Sequence, residues 1–183
     1  MILEILRHAI QIMLYPKKTL RKDKHMGKHM LTVYVGVLAL IPAISRFLDT
    51  SIVHVIENAE EKTRFVVSMD VIINSFIYLV LIMVIVWIIA ALIRIFAKPM
   101  AANSSMNACL KTVAYAFTPI LLSFIFGWIP FIGVFFALYA IILLIWAINH
   151  ILRPKKMAFW FYLMSIMFFV FLQMVLEYIM TFV

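Results

Sequence analysis

Five apolar segments, each near the length that an α-helix needs to cross a bilayer, occupy most of this 183-residue chain. A hydrocarbon core about 30 Å thick requires about 20 residues of helix, and backbone amides in lipid must find their partners within the protein. The sequence, which is 67% hydrophobic, therefore predicts an all-α integral membrane protein with five transmembrane helices. The predicted spans are Met30–Phe47, Val71–Ile93, Leu110–Phe126, Phe131–Ile148 and Met157–Met180.

The basic residues predict how these spans are oriented. Of the 16 Lys and Arg residues, all but three flank span ends that share one side of the membrane. The exceptions are Arg46, Lys62 and Arg64, whereas five of the eight acids lie between residues 48 and 70. Because basic residues accumulate on the cytoplasmic side, we expect a multi-pass protein of the cell membrane with a cytoplasmic N-terminus and an external C-terminus. The basic residues of the inner side are Arg7, Lys17, Lys18, Arg21, Lys22, Lys24, Lys28, Arg94, Lys98, Lys111, Arg153, Lys155 and Lys156.

Residues 1–29, the N-terminal arm, are predicted to lie on the inner membrane surface. Residues 1–15 read as a short amphipathic interfacial helix, with a polar stripe that includes Glu4, Arg7 and Gln11. Pro16 ends this helix. The basic run that follows attracts anionic head groups by about 1 kcal/mol per residue near the surface, and it also serves as a topology signal. The predicted head-group contacts are Lys17, Lys18, Arg21, Lys22, Lys24 and Lys28.

Residues 30–183 are predicted to form one transmembrane domain whose only sizeable external loop is 48–70. In that loop, Ile52 to Ala59 suggest a short helix along the interface. Asp70 is expected to cap the second transmembrane helix, and Ser104 or Ser105 the third.

The sequence shows little chemistry inside the spans. Arg94 and Lys111 touch inner span ends, and Glu177 lies near the outer interface. His25 and His29 have a spacing that can bind a metal, but the surrounding lysines repel cations. With no phosphate loop or catalytic constellation visible, we expect no enzyme activity, no catalytic residues, no cofactor and no metal.

Two features within the spans concern backbone and polar groups. Thr118-Pro119 predicts a kink in the third transmembrane helix, with Thr118 helping to satisfy a freed carbonyl. Uncharged polar residues are expected mainly to form hydrogen bonds between helices. A polar cleft in the outer half of the bundle is the alternative, and its residues are Asn74, Ser123, Gln173 and Glu177.

Three stretches then stand in the order typical of one family. They are Pro16–Leu20 after a short helix, Ser104–Met106 followed by Leu110–Leu122 with its Ala-Tyr-x-x-x-Pro pattern, and the hairpin Ile129–Gly133. With five spans, this resembles the prokaryotic branch of the Yip domain family, membrane proteins named for interacting with Ypt/Rab GTPases. The chain departs from many relatives in having Ala114 before Tyr115, where they have glycine. The resemblance implies an architecture rather than an activity.

Two functions are consistent with these residues. The first is a non-enzymatic membrane organiser or adaptor that acts through helix packing and a basic lipid-facing arm. Its partners are membrane lipids with anionic head groups and either further copies of itself or another membrane protein, and nucleic acid is not expected. The alternative is a small transporter or lipid-handling protein with a polar path near the Pro119 kink.

Overall fold

The computed structural model describes residues 2–22, 27–57, 60–65, 68–126, 129, 131–155 and 158–182. Side chains are described in these ranges except at 21–22, 52–57, 60–65, 158, 168, 172–173 and 175–182. The described chain is a helical bundle with one small hairpin. Its elements are α1 (Ile2–Leu14), α2 (Pro16–Lys22), α3 (Lys28–Ser51), β1 (Ile52–Glu57), β2 (Glu60–Phe65), α4 (Met69–Ala97), α5 (Met106–Ser123), a 3-10 turn (Phe124–Phe126), α6 (Ile132–Ala147), a π-helical turn (Ile148–Leu152) and α7 (Ala158–Phe182).

Four of the described helices are long and apolar enough to cross a membrane. They are α3, α4, α5 with its 3-10 turn, and α6 with its π-helical turn. The α7 helix is 25 residues long, and Phe159–Phe171 forms a shorter apolar stretch within it. The chain is therefore a multi-pass helical membrane protein, and the fifth crossing stays a prediction.

The helix starts follow local capping chemistry. Ser68 caps α4, because its hydroxyl accepts a hydrogen bond from the Val71 amide at 3.4 Å. The prediction that Asp70 is this cap was wrong, since Asp70 lies inside the first turn. Ser105 caps α5 through the Ala108 amide at 3.2 Å, which confirms the prediction for that helix.

The loop after α3 differs from the prediction. Helix α3 continues to Ser51, and the expected interfacial helix is replaced by an antiparallel pair of strands with Ile52 opposite Phe65. Strand β1 consists largely of the β-branched residues Ile and Val, which favour an extended backbone over a helix. The prediction of an interfacial helix from Ile52 was therefore wrong over the described residues of this loop.

Helix α5 lies at the centre of the bundle. Every residue from Ala108 to Leu122 is buried, and α3, α4 and α6 pack around it. Of the four candidate spans α5 is also the least apolar. A helix enclosed by protein has less lipid to face, so it can carry Lys111, Thr112 and Thr118 in buried positions.

The connections at one end of the bundle are joined to each other. The Asn103 amide donates to the Leu152 carbonyl at 2.7 Å, and the Lys155 amide donates to the Met100 carbonyl at 3.2 Å. These bonds link the loop between α4 and α5 to the segment after α6. We call this end, formed by α2, residues 98–105 and residues 148–155, the basic end.

Candidate functional site

The corner between α1 and α2 is built by a proline and a threonine. Pro16 has no amide hydrogen to continue α1, and it begins α2 at the first position, where that hydrogen is not needed. The Thr19 hydroxyl lies 3.0 Å from the Tyr15 carbonyl and 3.2 Å from the Gln11 carbonyl. The single hydroxyl proton is shared between these two carbonyls, and the Thr19 amide also donates to the Tyr15 carbonyl at 3.0 Å. Thr19 therefore ties the end of α1 to the start of α2.

One face of α1 is packed against the bundle. Ile5, Ala9 and Ile12 are buried at helical spacing. Between them, His8 lies 3.3 Å from the Tyr115 hydroxyl in α5, measured from its Nε2. At the end of α1, the Tyr139 hydroxyl in α6 donates to a main-chain carbonyl of the helix. The first helix is thus held to α5 and α6 by polar bonds as well as apolar contacts.

The remaining surface of α1 divides into two sectors. Leu3, which is 81% exposed, lies beside Ile10 and Leu14, and all three are apolar and exposed. The neighbouring sector carries Glu4 and Arg7, which are also exposed. A helix with one side on protein, one apolar side open and one polar side has the surface pattern of a helix at a lipid–water boundary.

The structure describes the side chains of three of the predicted head-group contacts. Lys17, Lys18 and Lys28 are exposed. The Lys17 ammonium lies 5.1 Å from the centre of the Trp146 ring in α6. This cation–π contact helps to hold α2 against the bundle. Arg21 and Lys22 are described by their backbone in α2 alone, and Lys24 lies outside the described residues.

The Pro119 region is closed and hydrogen-bonded. Thr118 is fully buried, and its hydroxyl lies 2.7 Å from the Tyr34 hydroxyl in α3 and 3.0 Å from the Ala114 carbonyl. Pro119 lacks the amide that would reach the Tyr115 carbonyl, one residue further along. The prediction that Thr118 helps to satisfy the carbonyl freed by Pro119 was therefore wrong. The Thr118 hydroxyl bonds the Ala114 carbonyl, which lies one residue before the freed Tyr115 carbonyl.

The structure describes only part of the predicted polar cleft. Ser123 directs its hydroxyl to the Ile120 carbonyl of its own helix at 2.7 Å, and Asn74 is half-buried on α4. Gln173 and Glu177 lie on α7, and their side chains are outside the described residues. A cavity of about 710 Å³ between α3 and the 3-10 turn has a lining that includes neither Asn74 nor Ser123. The cleft stays a prediction.

A second cavity, of about 900 Å³, opens at the basic end and was missed by the sequence analysis. We call it the basic cavity. Its walls come from α2, the α4–α5 loop, the first turns of α5 and the segment after α6. Lys111, which is only 6% exposed, forms part of the lining. The ionisable residues of that lining are Lys111, His150, Arg153 and Lys155.

The chain matches one family model over most of its length. The Yip1 domain model matches residues 10–176, from within α1 to within α7. The chain belongs to the Yip1 domain family. The match includes the Pro16–Thr19 corner, the buried segment around Pro119 and the whole lining of the basic cavity. No curated protein and no solved structure matches the chain.

Membership in the Yip1 domain family confirms the resemblance drawn from the sequence. The corner residues of the family-like Pro16–Leu20 stretch have a defined role here, because Pro16 and Thr19 turn the chain between two docked helices. The assignment to a prokaryotic branch stays a prediction.

Proposed function

We propose that this Yip1 domain protein is a non-enzymatic membrane organiser or adaptor that grips anionic lipid through its N-terminal arm and packs with other membrane proteins or copies of itself. In this proposal five helices cross the cell membrane, with the N-terminus in the cytoplasm and the C-terminus outside. Residues 1–29 form the lipid-facing arm, and residues 30–183 form the transmembrane domain.

One observation carries this proposal: the arm is docked, and its outward surface pairs apolar with basic groups. Three contacts hold it, from His8 to Tyr115, from α1 to Tyr139, and from Lys17 to Trp146. A fixed arm loses less conformational freedom on binding lipid than a loose one. The exposed apolar residues of α1 would enter the head-group boundary, while the lysines of α2 attract anionic lipid.

The charge distribution supports the proposed orientation. The described basic residues of α2 and of residues 148–155 lie at one end of the bundle, whereas Lys62 and Arg64 lie on β2 between α3 and α4. An excess of Lys and Arg at one end is the expected signal for the cytoplasmic side.

The proposal is tested with the protein reconstituted in nanodiscs of mixed phosphatidylcholine and phosphatidylglycerol. A variant carrying Lys17→Gln, Lys18→Gln, Arg21→Gln and Lys22→Gln is compared with wild type. Because each basic residue near the surface is worth about 1 kcal/mol, the enrichment of phosphatidylglycerol around the protein should fall at least about tenfold. Lipid enrichment is measured by mass spectrometry of the lipids that remain bound.

The matched control removes charge from the other end. Lys62→Gln and Arg64→Gln should leave the enrichment within about twofold of wild type. If the arm variant keeps the wild-type enrichment while folding normally, the arm is not the lipid-binding surface and this part of the proposal fails.

The transport alternative gains no further support from the structure. Its path passes beside Pro119, where the described side chains are packed and Thr118 is bonded to Tyr34. The contacts around α5 suit a packed structural centre better than a route for solute.

A further inference from the structure

We propose that the basic cavity is a binding site for a phosphate group that carries a net negative charge, presented either by an anionic lipid head group or by free phosphate. This site is distinct from the surface of the arm. It deepens the proposed function, and it rests on that function only for the idea that the basic end faces anionic lipid.

The cavity brings positive charge together from separate parts of the chain. Lys111 comes from α5, and Arg153 and Lys155 follow the π-helical turn. The described lining contains no Asp or Glu. A space lined by three cationic residues concentrates anions over neutral molecules of the same size.

Lys111 is the least accessible of these cations. Its side chain is 6% exposed, and its ammonium lies 5.7 Å from the centre of the Tyr115 ring. Burial weakens the competition from water, so an ion pair formed here is stronger than one on an open surface. A buried lysine at the wall of a cavity suits a compact charged group such as phosphate.

The other groups around the opening are held in place by the fold. Arg153 has a left-handed backbone with φ of 50°, and its side-chain Nε donates to the His150 carbonyl at 3.1 Å. This bond uses one of the five guanidinium donors. The His150 Nδ1 lies 2.9 Å from the Trp146 carbonyl, which fixes that ring as well. Positioned donors lose little freedom when an anion arrives.

The size and polarity of the cavity also fit. Its volume of about 900 Å³ lies at the upper end of the range of about 300–1,000 Å³ for small-molecule sites. Ser105, the N-cap of α5, belongs to the lining, so the positive end of that helix dipole adds to the field of the lysines. Leu20 of α2 supplies an apolar part of the wall, which the glycerol or first methylenes of a lipid can contact.

The test uses the purified protein in a neutral detergent. Thermal unfolding is followed while dihexanoyl phosphatidic acid, dihexanoyl phosphatidylcholine or inorganic phosphate is added. A ligand that binds the folded state raises the unfolding temperature with its concentration. We expect the phosphatidic acid to bind wild type at least about tenfold more tightly than the phosphatidylcholine, whose choline cation is repelled by the lysines.

Two cavity variants and one control decide the site. Lys111→Met and Lys155→Gln should each weaken the binding of phosphatidic acid at least about tenfold. Lys155 is exposed, so Lys155→Gln keeps the test valid even if Lys111→Met folds poorly. Lys98→Gln removes an exposed charge from the same end but outside the described lining, and binding should stay within about twofold of wild type.

The titration with inorganic phosphate distinguishes a lipid head group from free phosphate as the ligand. If inorganic phosphate stabilises wild type as well as the phosphatidic acid does, and the cavity variants lose both, free phosphate is the ligand. If only the phosphatidic acid stabilises wild type, and the cavity variants lose that effect, the ligand is a lipid head group. Equal binding by wild type and both variants, or equal binding of phosphatidylcholine, overturns the proposal. Because these probes are soluble, a failed arm experiment in nanodiscs leaves this result unaffected.

Discussion

The hydroxyl of Tyr34 in α3 and the hydroxyl of Thr118 in α5 are 2.7 Å apart, and both side chains are fully buried. The Thr118 hydroxyl also lies 3.0 Å from the Ala114 carbonyl. Because a hydroxyl has a single proton, we assign that proton to the Ala114 carbonyl and the proton between the two hydroxyls to Tyr34. The bond therefore has a direction, from α3 to the threonine before the helix proline. It connects the central helix to the first long helix beside the position where Pro119 removes a backbone bond.

This direction predicts unequal effects of the two single substitutions. Thr118→Val removes the acceptor that Tyr34 uses and should cost about 1–3 kcal/mol, whereas Tyr34→Phe leaves Thr118 bonded to Ala114 and should cost about 0.5–1.5 kcal/mol. Unfolding in detergent with increasing dodecyl sulfate measures both values. The double variant should cost less than the sum of the two.

Thr32→Val is the matched control for that pair, since the Thr32 hydroxyl bonds only the Lys28 carbonyl of its own helix among the contacts described for it. Its effect should stay below about 0.5 kcal/mol. Equal effects of Thr118→Val and Tyr34→Phe would contradict the assigned direction of the bond.

The corner at Thr19 predicts a local effect rather than a global one. Thr19→Val keeps the shape of the side chain but removes the hydroxyl proton that the Gln11 and Tyr15 carbonyls share. A loss of about 1 kcal/mol should raise local opening about fivefold. Amide hydrogen exchange of residues 2–14 should therefore accelerate, while exchange in α5 stays unchanged.

Thr50→Val provides the comparison for the corner, because the Thr50 hydroxyl bonds the Arg46 carbonyl within α3 at 2.8 Å. It should leave the exchange of α1 at the wild-type rate. A Thr19→Val protein with normal exchange in α1 would show that the corner does not depend on this hydroxyl.

The five-span proposal predicts which positions a membrane-impermeant maleimide reaches in intact cells. In a Cys109→Ala background, Thr63→Cys and Thr181→Cys should be labelled from outside. Lys18→Cys should be labelled only after permeabilisation. Labelling of Thr181→Cys that also requires permeabilisation would place the C-terminus inside and remove the crossing by α7.

The transport alternative predicts solute flux in proteoliposomes that the pair Asn74→Leu and Gln173→Leu abolishes without unfolding the protein. Under the organiser proposal, wild-type proteoliposomes and empty liposomes release a trapped fluorescent solute at the same rate. Flux that exceeds the empty liposomes and disappears in the double variant would replace the organiser proposal with transport.

The helices could be predicted because lipid imposes a simple rule on sequence. A span must be apolar and about 20 residues long, so the four long helices were found within a few residues of their ends. The Ser105 cap was also found, since a serine before an apolar run has a local role. Signals of this kind depend only on residues that are neighbours in sequence, so they can be recognised without the tertiary structure.

The strands and the basic cavity were harder to predict for a physical reason. The residues of β1 are apolar enough for an interfacial helix, and their β-branched side chains decide the outcome together with pairing to β2. Lys111 is far in sequence from Arg153 and Lys155, and their presence around one cavity depends on how α5 and α6 pack. The sequence predicts Lys111 at the end of a span, where a lysine can extend its ammonium into water. Its burial results from the packing of other elements around α5.

The two backbone bonds from Asn103 to Leu152 and from Lys155 to Met100 make neighbouring connections behave as one piece. Residue 155 stands three positions before the start of α7. Displacing the segment after α6 would therefore also displace the loop that leads into α5, and with it the rim around Lys111.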